Sequence, residues 1–274
     1  MIDLHLHTTI SDGFDAPANL VRGCAAAGIT TLAVTDHDTT GAWADAGAAA
    51  DALGLEFVPG IEITAVLDGR DVHMLGYFPT RRVPVLDEFL REQRADRVRR
   101  VRAMAERLAA LGVPVSIDRA LAATAENPDW TIGRPKIALA MIEAGYVADI
   151  GEAFDRYLGE GRPAFVPRSG ATPAEVVELI ASAGGIPSLA HPGLLERDEI
   201  IPSLILAGLP AVEVFHSDHD AETTARYLRM IERSGLLATG GSDYHGGGSG
   251  HHGALGRVVL PQDHYDKFRE RLLA

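Results

Sequence analysis

The chain has 274 residues, 46% of them hydrophobic and 23% charged, so it suits one large domain or a barrel with an insertion, and it argues against disorder. Its 38 acidic and 25 basic residues give a net charge of -13, which argues against long duplex DNA or RNA as the main partner. A small phosphorylated ligand stays open, because cations held in a cleft would present positive charge where it is needed. No apolar run approaches the roughly 20 residues of a bilayer span, so no membrane partner is expected. The N-terminus Met1-Ile2-Asp3-Leu4-His5 lacks the basic start and apolar stretch of a signal peptide. Cys24, the single cysteine, has no internal disulfide partner and reads as packing. A cytoplasmic protein is expected, and no obligate protein partner is inferred.

In chain order, residues 2–7 read as a first strand, and 17–27 as a helix ended by Gly28. A strand over 31–35, a helix over 42–53 ended by Gly54, and strands over 56–62 and 72–77 follow. The rhythm breaks between about residues 78 and 167. There, 91–111 forms a long arginine-rich helix with Val98, Val101, Met104, Ala105 and Leu108 on one stripe. Acidic residues interleave with its arginines, which therefore read as a solvated face. A helix over 136–143 precedes Gly145, and Thr172-Pro173-Ala174-Glu175 reads as a capping box. Strands over 186–190, 211–215 and 237–240 complete the set, and 246–250 (GGGSG) reads as flexible. Seven strands alternating with helices predict an α/β protein with parallel strands in a barrel-like array. Residues 1–80 and 165–274 are expected to form the barrel, with 81–164 inserted over its mouth as helices.

Histidines and carboxylates gather where candidate strands end, the rim at which a parallel barrel collects catalytic groups. His5 and His7, two apart on a strand, face the same side, and Asp12 follows in a turn. His37 lies between Asp36 and Asp38, which read either as supporting partners or as turn residues. Glu62 closes an apolar strand, where burial demands a partner or a metal. His73, alone in an apolar run, reads by itself more as a satisfied core histidine than as a ligand. His191 precedes Pro192 at a strand end, and Asp243 and His245 sit two apart after the last strand. These nine residues are too many for one ion and suffice, with carboxylate bridging, for two or three. Their imidazole and carboxylate mixture suits manganese, iron or zinc.

Taken in order, HxH, TDHD, GxE, a lone histidine, AHP and SDxH, the pattern resembles the PHP superfamily over nearly the whole chain. That resemblance implies a distorted seven-stranded (β/α) barrel with an inserted helical subdomain. It is similar to the small stand-alone phosphoesterases that act on nucleoside 3′,5′-bisphosphates, trim short RNA from the 5′ end or open cyclic phosphodiesters. It also implies a ligand scheme: His5, His7, Glu62 and Asp243 on a first ion; Glu62, His73 and His191 on a second; Asp12, His37 and His245 on a third. Gly133-Arg134-Pro135-Lys136 departs from the expected Gly-Arg-Pro-His, a change that bears on substrate and leaving-group chemistry and not on the metal ligands. Arg134 is read as a phosphate fork. Lys136 is either a phosphate donor or an exposed helix residue, Arg168 either a substrate ligand or a surface arginine. His216 is read either as proton donor to the leaving group or as packing. His219, His251, His252 and His264 are read as solvent residues, with lining of the entrance as the alternative for the pair at 251 and 252.

The expected reaction is attack on phosphorus by a metal-bridging hydroxide. The favoured substrate is a small phosphorylated compound, a nucleotide with a terminal phosphate ester. Short RNA ends, histidinol phosphate, a cyclic phosphodiester and a non-catalytic metal-binding module stand as alternatives.

Overall fold

Seven strands line up in chain order as one sheet. They are β1 (Ile2–Asp3), β2 (Thr31–Val34), β3 (Glu56–Leu67), β4 (Arg70–Tyr77), β5 (Ile186–Leu189), β6 (Ala211–His216) and β7 (Leu237–Gly241). The computed structural model describes residues 1–247 and 254–274; most of the glycine-rich stretch, and His251 and His252, lie outside the described residues. After β1 the chain stays extended along the far edge of the sheet. Leu4 N–H donates to Gly240 O at 3.0 Å and Asp243 N–H to His5 O at 2.9 Å, while Leu6 bridges Tyr244. The first and last strands thus meet, and the sheet nearly closes into a barrel. Gly241 permits that approach: a Cβ there would lie 2.3 Å from the His5 nitrogen.

One expectation is corrected. The strands are not all parallel, because β4 runs antiparallel to both β3 and β5. The cause is Asp68-Gly69, a two-residue turn with both residues at positive φ (54° and 79°), which folds β3 and β4 into a hairpin. The reversal has a functional consequence. His73 lies near the start of β4, and only because β4 is reversed does that end reach the rim where the other strands finish.

Helices α1 (Pro17–Ala26) and α2 (Trp43–Leu53) cover one side. The long helix α3 (Asp87–Ala110) is followed by α4 (Asp118–Glu126), α5 (Arg134–Glu143) and α6 (Ile150–Ala153). Then come α7 (Pro173–Ser182), α8 (Pro192–Leu195), α9 (Ile201–Leu206), α10 (Ala221–Ser234) and α11 (Gln262–Leu273). The capping box at α7 forms as read: Thr172 Oγ1 accepts from Glu175 N–H, and the Glu175 carboxylate accepts from Thr172 N–H. Two separate apolar clusters result. One joins the barrel interior to its covering helices; the other is built from Val101, Met104, Leu108, Ile137, Met141 and neighbours up to Val166.

Candidate metal centre

All nine residues singled out as ligands converge at one rim. Glu62, 1% exposed, stands at the middle. Its Oε2 lies 3.4 Å from His5 Nε2, 3.3 Å from His7 Nε2 and 3.1 Å from His37 Nδ1. Its Oε1 lies 2.9 Å from His73 Nδ1 and 3.2 Å from His191 Nε2. One carboxylate therefore turns one oxygen to each of two sets of imidazoles, the disposition of a bridging ligand. Asp243 Oδ1 is 3.3 Å from His5 Nε2 and 3.1 Å from His7 Nε2. Asp12 meets His37 Nε2 and His245 Nε2, each at 3.5 Å.

Among the described residues four groups have ligand atoms within 4.8 Å of one another: His7-Asp12-His37-His245, His5-His7-Asp243, His37-Glu62-His73 and His5-Glu213-His216. The buried atoms His7 Nδ1, His37 Nδ1 and Asp243 Oδ1 make no well-aligned hydrogen bond among the described residues, although oppositely charged or ring atoms crowd within 3.1–3.7 Å of them. Polar atoms this deep are costly unless satisfied, and ions bound among them would satisfy them. The nitrogen and oxygen donors, with no thiolate, fit borderline or hard divalent metals. Burial opposes charging of Glu62, but His37, His73 and His5 hold its carboxyl well below the usual range. Burial also draws the His37 imidazole down to about 3, whereas Asp243 and Glu62 overcome burial at His7 and push it up to about 10. A cation held at His7 would compete with a proton for that ring.

Backbone strain marks the same rim. Among the described residues five non-glycine positions have positive φ, and three of them are Asp38 (54°), His191 (25°) and Asp243 (53°). Asp36 and Asp38 are supporting partners rather than simple turn residues. Asp36 accepts from Thr8 N–H at 2.8 Å and Ser11 Oγ at 2.5 Å, which orders the loop carrying Asp12. Asp38 accepts from Thr64 N–H, from Arg97 Nε at 2.6 Å and from Arg168 Nη1 at 3.1 Å. Against the effect of burial, Arg97 and Arg168 hold its carboxyl well below the usual range.

Several side chains lie elsewhere than their sequence suggested. Arg97 and Arg100 are not a solvated face: they are 7% and 5% exposed and line the cleft above the imidazoles, about 230 Å³ in volume. Arg134 and Arg168 line it too, and Arg134 is held between the Phe154 and Phe165 rings, 5.4 and 5.7 Å from their centroids. Lys136, two residues on in the same turn of α5 and so on a different side of it, projects into a different cavity beside Trp130, close enough for Asp12 and Asp36 to act on its charge. His216, 3% exposed, approaches from beneath with Nε2 3.5 Å from Asp243 Oδ2, and it does not line that cleft. His219 is not a solvent residue either: it is buried, with Nδ1 2.9 Å from Val214 O. His264 is half-buried against the Phe215 ring.

Glu213 is a buried carboxylate at this centre that the motifs did not reveal. Fully buried, it lies with Oε1 2.9 Å from His5 Nδ1, and its Oε2 accepts from His191 N–H at 2.8 Å. A proton shared there keeps His5 Nε2 free for a metal, and the second bond steadies the strained backbone of His191. Its signal was a glutamate inside the apolar strand Ala-Val-Glu-Val-Phe, the same anomaly that drew notice to Glu62.

Comparison with known proteins supplies the family. The PHP domain model matches residues 3–147.

The chain belongs to the PHP domain family.

It is 34% identical to the 3′,5′-nucleoside bisphosphate phosphatase of Chromobacterium violaceum, over 91% of this chain and 88% of that one. It is 36% identical to a 5′-3′ exoribonuclease of Haemophilus influenzae over 89% of each. A solved Bifidobacterium adolescentis structure, assigned as a metal-dependent phosphoesterase, superposes with a TM-score of 0.89 at 34% identity, covering 98% of this chain and 96% of that one. This PHP-domain protein is an enzyme, a metal-dependent phosphoesterase with histidine and carboxylate clusters able to hold metal. Among the described residues no helix is long and apolar enough to cross a membrane.

Proposed function

We propose that the chain hydrolyses a phosphate ester of a small nucleotide, such as a nucleoside 3′,5′-bisphosphate, at a centre of two or three divalent ions. The observation that carries this reading is Glu62, with one oxygen toward His5, His7 and His37 and the other toward His73 and His191. In the proposed scheme His5, His7, Glu62 and Asp243 hold one ion, and Glu62, His73 and His191 a second. Asp12, His37 and His245 hold a third. Manganese, iron or zinc bound there would lower the pKa of water toward neutrality and offset charge on the phosphoryl oxygens.

The chain's own residues supply the rest. Arg134, fixed between two phenylalanine rings, presents its guanidinium edge to phosphoryl oxygens, and Arg168 adds a second cation to the same cleft. Glu213 keeps His5 in the tautomer that offers Nε2. His216 steadies Asp243 from below, a role that its burial supports over proton donation to the leaving group. Lys136, in its separate cavity, is assigned no contact with the reacting ester. Residues 81–164 are proposed as an inserted helical subdomain, supported by the second apolar cluster. A cytoplasmic location is proposed with it, consistent with the lone, buried Cys24.

The nucleotide assignment draws on likeness to the bisphosphate phosphatase. Likeness to the exoribonuclease favours a second reading, in which the terminal nucleotide of a short RNA enters the cleft. Phosphate release by Mn²⁺-loaded protein separates them. The panel holds a nucleoside 3′,5′-bisphosphate, short 5′-phosphorylated RNA, a cyclic phosphodiester and histidinol phosphate. The bisphosphate is expected to turn over fastest. A preference for the RNA would install the second reading, and silence on all four would remove both.

A further inference from the structure

His191 stands in a backbone conformation that an L residue seldom adopts, with φ 25° and ψ 58°, and Pro192 follows it directly. Such a conformation persists only where the surroundings fix it. One anchor is Glu213, whose Oε2 accepts from His191 N–H at 2.8 Å. The other lies two residues on. Gly193 N–H donates to His219 Nε2 at 3.1 Å, and His219 Nδ1–H donates to Val214 O at 2.9 Å. An amide N–H can only donate and a carbonyl can only accept, so the two bonds fix His219 as the neutral tautomer protonated on Nδ1. Burial holds its pKa below the usual value, which keeps the ring neutral.

The ring has little room to turn away. The His216 and Tyr227 rings each lie 5.4 Å from it, centroid to centroid, and the Tyr227 hydroxyl is itself tied to Asp198 Oδ1 at 2.7 Å. A Cβ on Gly193 would lie 2.7 Å from His219 Cδ2 and 2.8 Å from its Nε2. The φ at Gly193 is not positive, so the glycine answers the approach of His219 rather than a demand of the backbone. Both anchors belong to one element. Glu213 lies in β6, and His219 closes the turn after it, its N–H donating to His216 O at 3.1 Å.

We infer that His219 is a positioning residue for the metal centre: through Gly193 N–H it locks the strained turn of His191 and so aims the His191 imidazole at Glu62. That aim is seen in the 3.2 Å between His191 Nε2 and Glu62 Oε1. The inference rests on the proposed scheme in which Glu62, His73 and His191 hold one ion. His219 touches neither that ion nor the ester, and acts only through the turn. Without its acceptor, Gly193 N–H is released and the turn relaxes toward ordinary dihedrals, carrying the imidazole away from Glu62. Asp12, His37 and His245 stand on other loops, so the ion proposed for them is untouched by this change.

The test is a Mn²⁺ titration of chelated protein, with free Mn²⁺ read by electron paramagnetic resonance. His191→Ala and His245→Ala mark which binding step belongs to which ion. His219→Phe keeps a ring in place and removes the acceptor. It is expected to weaken the step that His191→Ala removes by about tenfold or more, the worth of one hydrogen bond. The step that His245→Ala removes should stay as in the wild type. His219→Gln, whose side-chain oxygen can take the place of Nε2, should recover most of the loss. If His219→Phe does not fold, Gly193→Ala decides, because a methyl pressed into the same ring should weaken the same step. An unchanged step in a folded variant, equal loss at every step, or no recovery in His219→Gln would overturn the inference. A titration that His191→Ala leaves unaltered would overturn it together with the ion scheme. No catalysis enters this readout, so the expected steps without turnover would uphold the role of His219 and remove only the proposed hydrolysis.

Discussion

Replacing Glu62 with glutamine is expected to lower phosphate-ester turnover by about a thousandfold or more while leaving the fold intact. The substitution keeps shape and volume and removes one charge. That charge faces five imidazoles, with Oε2 within 3.4 Å of His5, His7 and His37, and Oε1 within 3.2 Å of His73 and His191. A neutral amide would turn an N–H₂ group toward one of these sets and could not bridge two cations. Steady-state kinetics, with elemental analysis and circular dichroism on the same sample, reads the result. Near-normal turnover by a metal-loaded mutant would show that Glu62 is not the bridge. The neighbouring Asp36 offers a contrast, since its bonds to Thr8 and Ser11 order the loop rather than face the ligand atoms.

Removing divalent metal is expected to cost stability as well as activity. Asp12, Glu62 and Asp243 are at most 13% exposed at the side chain and crowd among imidazoles, several of whose ring nitrogens make no well-aligned hydrogen bond. Bound cations replace that mutual crowding with coordination. A ligand held only by the folded state, at 100 times its dissociation constant, contributes about 2.7 kcal/mol per site. For a chain of this size that corresponds to roughly 5–10 °C in melting temperature for each ion. Scanning calorimetry after chelation, then after return of Mn²⁺, checks it: the transition should fall and recover, and it should stay near the lower value in Glu62→Gln. An unchanged transition in protein shown to gain and lose metal would contradict the expectation.

Much of this site was legible because metal ligands come in short, spaced motifs. His5 and His7 alternate along one extended segment, and Asp243 and His245 sit two apart at the closing strand, so local spacing placed them on a common side. Capping signals worked for the same reason: Thr172 and Glu175 settle their bonds within four residues. The reversed β4 was missed although Asp68-Gly69 announces a hairpin, because the alternation of strands and helices elsewhere favoured parallel pairing. Arg97 and Arg100 were hidden by a different effect. Their acidic neighbours made α3 read as solvated, and only tertiary contact brings Asp38 and Thr64 to Arg97 and Val166 to Arg100. Glu213 shows the same limit, since its partners His5 and His191 are 208 and 22 residues away in the chain. Lys136 shows the converse: a motif position beside Arg134 whose side chain opens into another cavity.

The central claim is that hydrolysis depends on ions held by this histidine and carboxylate cluster. The most direct test follows phosphate release from a nucleoside 3′,5′-bisphosphate as Mn²⁺ is returned stepwise to chelated protein, with bound metal counted at each step and Asp243→Ala carried in parallel. Turnover should be absent in the stripped protein, rise with the second ion bound and remain absent in the variant. Release that persists without metal, or an unaltered rate in Asp243→Ala, would contradict the account.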